Sequence, residues 1–162
     1  MIVVQHSEDK SFTAKSSGRA RGFTMLELVI VLAVGSILTA MAIPQVRSGL
    51  YSYRLNSAVA MAKWAIQSTR FQALMKGYPY QVVFSAANTN YQIQNLPSGT
   101  TYANVGSVVP LAGSPMTVNQ DATINFLPNG FVTSSVTSFT ITYQGMTKTI
   151  AVSNYGNVSV TP

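Results

Sequence analysis

Cysteine is absent from this chain, histidine occurs once, and acidic residues number only four in 162. The lack of cysteine excludes disulfides, thiolate nucleophiles and cysteine-ligated zinc. Asp121 is the only acid that follows Glu27, so the distal part of the chain has no carboxylate pair for acid–base catalysis or for a metal site. We therefore predict that the protein is not an enzyme and that it needs neither a metal nor another cofactor.

What the chain does contain is a long apolar run that follows basic residues. Ten lysines and arginines give a net charge of +6, and two of them, Arg19 and Arg21, stand just before residues 23–46. That run holds one charged residue, Glu27, and about 20 apolar residues suffice for a helix to cross a bilayer. Basic residues before a membrane span stay on the cytoplasmic side. The sequence thus predicts a single-pass protein of the cytoplasmic (inner) membrane, with its N-terminus in the cytoplasm and the rest outside.

The helical pattern continues beyond the apolar run. One stripe of residues recurs at steps of three and four, which is typical of a helix that packs on a core: Leu55, Val59, Ala62, Ile66, Thr69 and Ala73. Gly77 and Pro79 then signal the end of the helix. We predict one helix over about 24–76, with a kink at Pro44, where a backbone hydrogen bond is lost.

The surroundings of other side chains on this helix are predicted from their positions relative to the stripe. The cations are predicted to face solvent or lipid headgroups: Arg47, Arg54, Lys63, Arg70 and Lys76. Tyr51 and Tyr53 fit an aromatic belt at the membrane interface, whereas Trp64 is predicted to pack in the domain core.

After Pro79 the pattern changes to short β-rich runs separated by turns. Strands are predicted at 80–84, 90–94, 122–126, 138–143, 148–152 and 157–160, with one more at about 105–109 inside a loop over 96–115. Short strands with frequent turns form antiparallel sheets, so we predict an α+β fold in which one long N-terminal helix packs on small antiparallel sheets. The predicted divisions are a leader (1–22), a membrane-spanning half-helix (23–50) and an extracytoplasmic globular domain (51–162).

The junction between leader and apolar run has a distinctive sequence, Arg21-Gly22-Phe23-Thr24-Met25-Leu26-Glu27. It resembles the processing site of type IV prepilins and type II secretion pseudopilins. The resemblance implies that a membrane peptidase cleaves after Gly22, that the new N-terminal Phe23 is methylated on its nitrogen, and that Glu27 is required for assembly. Pro44 also falls where helices of this family commonly carry a proline.

The distal sequence resembles the GspH/FimT-like branch of that family. The helix end Arg70-Phe71-Gln72-Ala73, the stretch 124–130, which contains a Phe-x-Pro-x-Gly element, and the terminal stretch 148–158 carry the resemblance. It implies a pilin-like fold and a structural role in a pseudopilus or type IV pilus. It also implies the partners: the prepilin peptidase/methyltransferase, other pilin or pseudopilin subunits, the inner-membrane assembly platform and membrane lipid.

Glu27 has a physical role that follows from cleavage after Gly22. The cut creates an α-ammonium on Phe23, and in a bundle of apolar helices that cation can neutralise the carboxylate of Glu27. Loss of one member of such a buried pair costs several kcal/mol, because the other charge remains unpaired. We therefore expect Glu27 to set both the attraction and the register between subunits.

Three other interpretations remain open. Ala40-Met41-Ala42 fits a secretory signal peptidase site, and cleavage after Ala42 would release a soluble binding module. The apolar run could instead be a plain membrane anchor. In the third interpretation the protein is a DNA-uptake minor pilin. DNA binding is not favoured, because the stretch 156–160 has no arginine and only Lys148 lies nearby.

Overall fold

The computed structural model describes residues 22–111, 116–134 and 136–162, so the predicted leader, apart from Gly22, lies outside the described residues. The backbone divides into two units, one reaching Met41 and the other spanning Ala42–Pro162.

A single helix, α1, spans Met25–Lys76, close to the predicted range. Its first turn is capped by Thr24, whose Oγ1 accepts a hydrogen bond from the Glu27 backbone N–H at 3.2 Å. Its last turn closes with the Gly77 N–H donating to the Ala73 carbonyl at 3.1 Å. Pro44 lies inside the helix and does not end it, and the kink predicted there stays a prediction.

Eight strands follow the helix among the described residues. They are β1 (Tyr80–Ser85), β2 (Asn90–Asn95), β3 (Ala103–Pro110), β4 (Thr117–Val118), β5 (Ala122–Phe126), β6 (Ser138–Tyr143), β7 (Met146–Val152) and β8 (Val158–Thr161). One antiparallel sheet has the order β3-β2-β1-β5 and the other has the order β4-β6-β7-β8. The predicted α+β architecture of one long helix on small antiparallel sheets is confirmed.

The strands β1, β2 and β8 differ from the predicted bounds by one residue at one or both ends, and larger differences occur in three places. The strand expected inside the loop 96–115 is longer than predicted, since β3 runs over Ala103–Pro110. The strand β7 begins at Met146, two residues before the predicted start. The strand β4 was not predicted, because two residues are too few to show any periodicity.

One hydrophobic core in the Ala42–Pro162 unit joins α1 to both sheets. All six residues of the predicted helix stripe are buried. Phe84 of β1 and Phe139 of β6 meet across the two sheets with ring centroids 4.6 Å apart. The one polar stripe residue, Thr69, donates its hydroxyl to the Ala65 carbonyl at 2.7 Å, so its burial leaves no unpaired group.

Three predictions for side chains of α1 are wrong. Trp64 is 60 % exposed, because it lies on the face of the helix opposite the buried stripe. The Nε atom of Arg70 is buried, so its guanidinium group is not simply solvated, whereas Arg54 is exposed as predicted and also donates to the Tyr143 hydroxyl at 3.0 Å. Tyr51 packs edge-on against Tyr143 at 5.6 Å, whereas Tyr53 remains exposed.

Candidate assembly sites

The predicted processing point lies in backbone that precedes the helix. Gly22, Phe23 and Thr24 have no helical or strand structure, and all three are exposed. A Cβ atom built on Gly22 would meet nothing within 4 Å, and Phe23 is 78 % exposed. An enzyme can reach the Gly22–Phe23 bond without unfolding a helical turn, as exposed segments outside regular structure allow.

Glu27 has a local role that is independent of assembly. It lies in the first turn of α1, and its N–H donates to the Thr24 hydroxyl. Thr-x-x-Glu is the spacing of a capping box, and an acid at a helix N-terminus gains about 0.3–1 kcal/mol from the helix dipole. The carboxylate itself is exposed, so within the single chain it has no need of a cation.

The N-terminal part of α1 presents apolar side chains that nothing in the described chain covers. Every residue from 22 to 50 is exposed, and this stretch is long and apolar enough to cross a membrane. Isolated exposed apolar residues are ordinary on protein surfaces, but a long contiguous set marks a surface that is covered by lipid or by another protein.

A second exposed apolar stripe lies on the part of α1 that packs on the domain. Tyr53, Trp64, Phe71 and Met75 recur at helical spacing and are each at least 60 % exposed. They lie opposite the buried stripe that begins at Leu55. The same helix therefore packs on its own sheets with one face and offers large apolar side chains on the other.

Two glycine turns lie side by side at the end of the domain that contains the β7–β8 connection. In the first turn Gly130 N–H donates to the Leu127 carbonyl at 2.9 Å, and in the second Gly156 N–H donates to the Ser153 carbonyl at 2.8 Å. The Val132 N–H donates to the Asn154 carbonyl at 2.9 Å and joins the two turns. The rings of Phe131 and Tyr155 pack at 5.6 Å.

Arg70 of α1 crosses both glycine turns. A Cβ atom on Gly156 would lie 2.8 Å from both Cδ and Nε of Arg70, and one on Gly130 would lie 3.4 Å from Nε. Both glycines have positive φ angles, 76° at Gly156 and 81° at Gly130, which side chains rarely adopt. The backbone therefore favours glycine at both positions, and at Gly156 the Arg70 side chain also fills the space that a Cβ atom would take, whereas a Cβ atom on Gly130 would come nearest to Leu74, at 3.2 Å.

The Arg70 side chain forms part of a groove of about 640 Å³. We call it the Arg70 groove, and its walls are Lys63, Gln67, Arg70, Phe71 and Leu74 of α1 with Gly156, Asn157 and Val158 of the β7–β8 connection and β8. The lining holds two cations and no acid. The Nε atom of Arg70 is buried and has no hydrogen-bond partner within the described residues.

Sequence reasoning predicts the processing and assembly residues, but it does not predict the Arg70 groove. The predicted residues Gly22, Phe23 and Glu27 lie in one accessible stretch, and Pro44 lies farther along the same helix. Arg70 was placed among the solvated cations, because its helical position is outside the buried stripe. The glycines at 130 and 156 are the signal in the sequence from which the role of Arg70 could be inferred. Only the fold, however, places both glycine turns against the side chain of this one arginine.

Comparisons with known proteins give a consistent result. Residues 17–43 match the prokaryotic N-terminal methylation motif, and residues 62–156 match the family described as type II transport protein GspH. No curated protein sequence matches the chain.

Two solved structures have a similar fold. The type IV minor pilin FimU of Pseudomonas aeruginosa PAO1 aligns with a TM-score of 0.55 and 17 % identity, over 68 % of this chain and 90 % of that chain. The minor pseudopilin EpsH from the type 2 secretion system of Vibrio cholerae aligns with a TM-score of 0.51 and 12 % identity, over 65 % of this chain and 93 % of that chain. At these identities the similarity establishes a shared fold.

Proposed function

The chain belongs to the type II transport protein GspH family of minor pilins and pseudopilins, and we propose that it is a structural subunit of a type II secretion pseudopilus or a type IV pilus. The observation that carries the proposal is the exposed apolar part of α1, preceded by an accessible Gly22–Phe23 bond. Such a surface is stable in lipid before assembly and among neighbouring helices afterwards.

Processing is the first step of the proposed function. The prepilin peptidase/methyltransferase cleaves after Gly22 and methylates the nitrogen of Phe23. Two observations support this step: the bond lies in exposed backbone outside the helix, and residues 17–43 match the N-terminal methylation motif.

Assembly is the second step, and it depends on Glu27. In the filament the apolar helices pack together and remove Glu27 from water, and the α-ammonium of Phe23 from a neighbouring subunit pairs with its carboxylate. The apolar stripe of Tyr53, Trp64, Phe71 and Met75 offers a separate contact with neighbouring subunits in the Ala42–Pro162 unit. Both surfaces are exposed in the single chain, which is what a subunit awaiting neighbours requires.

The remaining features of the proposed function follow from this topology. Before assembly the protein spans the inner membrane once, with a cytoplasmic leader, and it engages the inner-membrane assembly platform and lipid. The domains are the leader 1–22, the polymerising half-helix 23–50 and the globular domain 51–162. The subunit has a structural rather than a catalytic role, since its chemistry lies in packing and in one ion pair.

Mass spectrometry of the mature N-terminus in cells that make pili or secrete proteins tests the proposal directly. We expect a chain that begins with N-methylated Phe23. A chain that begins at Ile43 would establish the soluble module released after Ala42, and a chain that keeps its leader would establish a plain anchor.

A matched variant separates the two cleavage routes. Signal peptidase needs a small residue at the end of its site, so Ala42→Leu blocks cleavage after position 42. We expect this variant to carry N-methylated Phe23 as the unaltered chain does. Accumulation of an uncleaved Ala42→Leu precursor would contradict the proposal.

A further inference from the structure

We propose that the Arg70 groove binds an aspartate or glutamate side chain, flanked by apolar residues, from a different subunit of the same filament. This inference rests on the proposed function as a filament subunit. The groove supplies two cations, Lys63 and Arg70, beside the apolar walls formed by Phe71, Leu74 and Val158.

The unpaired Nε atom of Arg70 indicates what the groove lacks. A buried N–H group without a hydrogen-bond partner costs free energy, and native proteins rarely leave one unsatisfied. A guanidinium group binds a carboxylate through two parallel hydrogen bonds, and Nε is one of the donors that can form them. An incoming carboxylate would give the half-buried Arg70 guanidinium group an acceptor that the described residues do not supply to its Nε atom, and Lys63 would add a second, more exposed cation.

The groove is already shaped for such a ligand. The glycines at 130 and 156 leave the space through which the Arg70 side chain passes, and the hydrogen bond from Val132 to Asn154 fixes the two turns together. A side chain confined in this way loses little conformational freedom on binding, so less of the contact energy is spent on ordering it.

A second copy of this chain is poorly suited to fill the groove. Its acids are Glu8, Asp9, Glu27 and Asp121. The first two precede the proposed cleavage point, and Glu27 lies in the apolar part of α1. Asp121 already accepts a hydrogen bond from the Ala86 N–H at 2.7 Å. Charge complementarity therefore favours a partner with a different sequence.

A nucleic acid is also a poor fit. Affinity for DNA grows with the number of phosphates that lysine and arginine neutralise, and useful affinity requires several such contacts. The groove offers two cations, and the rest of its lining is apolar or uncharged. This pattern matches one carboxylate with an apolar neighbour better than it matches a repeating phosphate backbone.

Photo-crosslinking of the full chain in living cells tests the inference. A photoreactive residue replaces Asn157, which is exposed and lines the groove, and adducts are identified by mass spectrometry. We expect an adduct with another subunit that carries the methylation motif, at a peptide containing Asp or Glu. Lys63→Gln should lower its yield roughly two- to fivefold, the range for a partly exposed ion pair. Arg70→Gln should lower it further, about tenfold, because Arg70 is less exposed than Lys63 and its guanidinium group can form two hydrogen bonds to one carboxylate.

Lys76→Gln is the matched control, because Lys76 is an exposed lysine of the same helix that does not line the groove. It should leave the adduct unchanged. Lys63→Glu should lower the adduct yield further than Lys63→Gln does, because it places a like charge beside the incoming carboxylate. The Lys63 variants keep the test decisive even if Arg70→Gln impairs folding, because Lys63 is exposed.

Several outcomes would overturn the inference: an adduct only with a second copy of this chain, an adduct with nucleic acid, no adduct, or an adduct yield that Lys63→Gln leaves unchanged. The N-terminus is analysed in the same sample. N-methylated Phe23 without a subunit adduct rejects the groove assignment alone, whereas a chain without N-methylated Phe23 rejects the proposed function and this inference with it.

Discussion

Residues 25–41 of α1 and the unit Ala42–Pro162 are both rich in apolar side chains, but they use them in different ways. In the second unit the apolar residues of the helix stripe and both sheets are buried in one core. In the first, every residue is exposed. The difference shows that the folding energy of the single chain resides in the second unit, whereas the apolar surface of the first gains its energy only from lipid or neighbouring subunits.

The largest effect is expected when the charge of Glu27 is removed without loss of the helix cap. Glu27→Gln retains the capping-box chemistry, which accepts either residue, but it cannot neutralise a buried ammonium group. An unpaired buried charge costs roughly 3 kcal/mol or more, so incorporation into sheared filaments should fall at least about 100-fold. The measurement is an immunoblot of filaments against total protein, with N-methylated Phe23 checked in both.

One other change at this position sharpens the result. Glu27→Asp keeps the charge on a shorter side chain and should assemble better than Glu27→Gln. If Glu27→Gln assembled at the normal yield, Glu27 would be only a helix-capping residue and its pairing with the α-ammonium would be rejected.

The next largest effect is expected from truncation of a buried apolar side chain in the second unit, compared with truncation of an exposed one in the first. Phe139→Ala removes a fully buried ring that meets Phe84, so the free energy of unfolding should fall by about 3–5 kcal/mol. Val34→Ala removes methyl groups from an exposed side chain, so the same free energy should change by less than about 0.5 kcal/mol. Denaturant unfolding of the full chain in detergent measures both. Equal destabilisation by the two variants would abolish the contrast between the units.

A smaller effect isolates the contact between Arg70 and the second glycine turn. Gly156→Ala and Gly145→Ala both place a side chain at a positive φ, 76° and 79° respectively, and each should cost about 1–3 kcal/mol of backbone strain. Only Gly156→Ala also meets Arg70, since the space around Gly145 is open. Gly156→Ala should therefore be the more destabilising variant in denaturant unfolding.

A double variant identifies the origin of that difference. When Gly156→Ala is combined with Arg70→Ala, the additional loss of free energy of unfolding caused by the contact with Arg70 should disappear. Only the loss caused by backbone strain should remain. An excess that persists without the Arg70 side chain would show that Arg70 does not occupy this path.

Much of the fold could be predicted, because its signals are local. The period of three and four at Leu55, Val59 and Ala62 gave the buried helix face, and the stop at Gly77 gave the end of the helix. The strands β5 and β6 begin and end at the predicted residues. By contrast, the pairing of strands into two sheets depends on contacts between distant segments, which no local pattern specifies.

The candidate sites divide in the same way. Gly22, Phe23 and Glu27 lie within one stretch of six residues, so one short motif was enough to predict them. The Arg70 groove depends on turns near 130 and 156 that meet a helix residue far away in sequence, and it could be found only from the fold. Trp64 illustrates the opposite error, because a large aromatic residue was assigned to the core although its helical position faces outward.

The smallest expected effect is a change in the free energy of unfolding at alkaline pH, which tests whether water is excluded from the core of the second unit. Tyr91 is only 4 % exposed, and this burial raises the pKa of its phenol above the usual value of about 10. Burial likewise raises the pKa of Tyr102. At a pH between the unfolded and folded values, the unfolded chain has lost protons that the folded chain still holds. The contribution of these phenols to the free energy of unfolding should therefore be constant well below pH 10 and fall above it, by at most about 1.4 kcal/mol per pH unit for each phenol.

Denaturant unfolding of the full chain in detergent between pH 8 and pH 11 measures this decline. Tyr91→Phe removes the titrating group and should flatten part of the decline; the remainder arises from Tyr102 and from Tyr78, whose pKa is also raised, mainly by its hydrogen bond with the Tyr80 hydroxyl. Tyr53→Phe is the control, because Tyr53 is 71 % exposed on the outer face of α1, and its curve should follow that of the unaltered chain. If Tyr91→Phe left the alkaline slope unchanged, water would reach that phenol in the folded state, and the core would be less sharply separated from the exposed helix than its burial indicates.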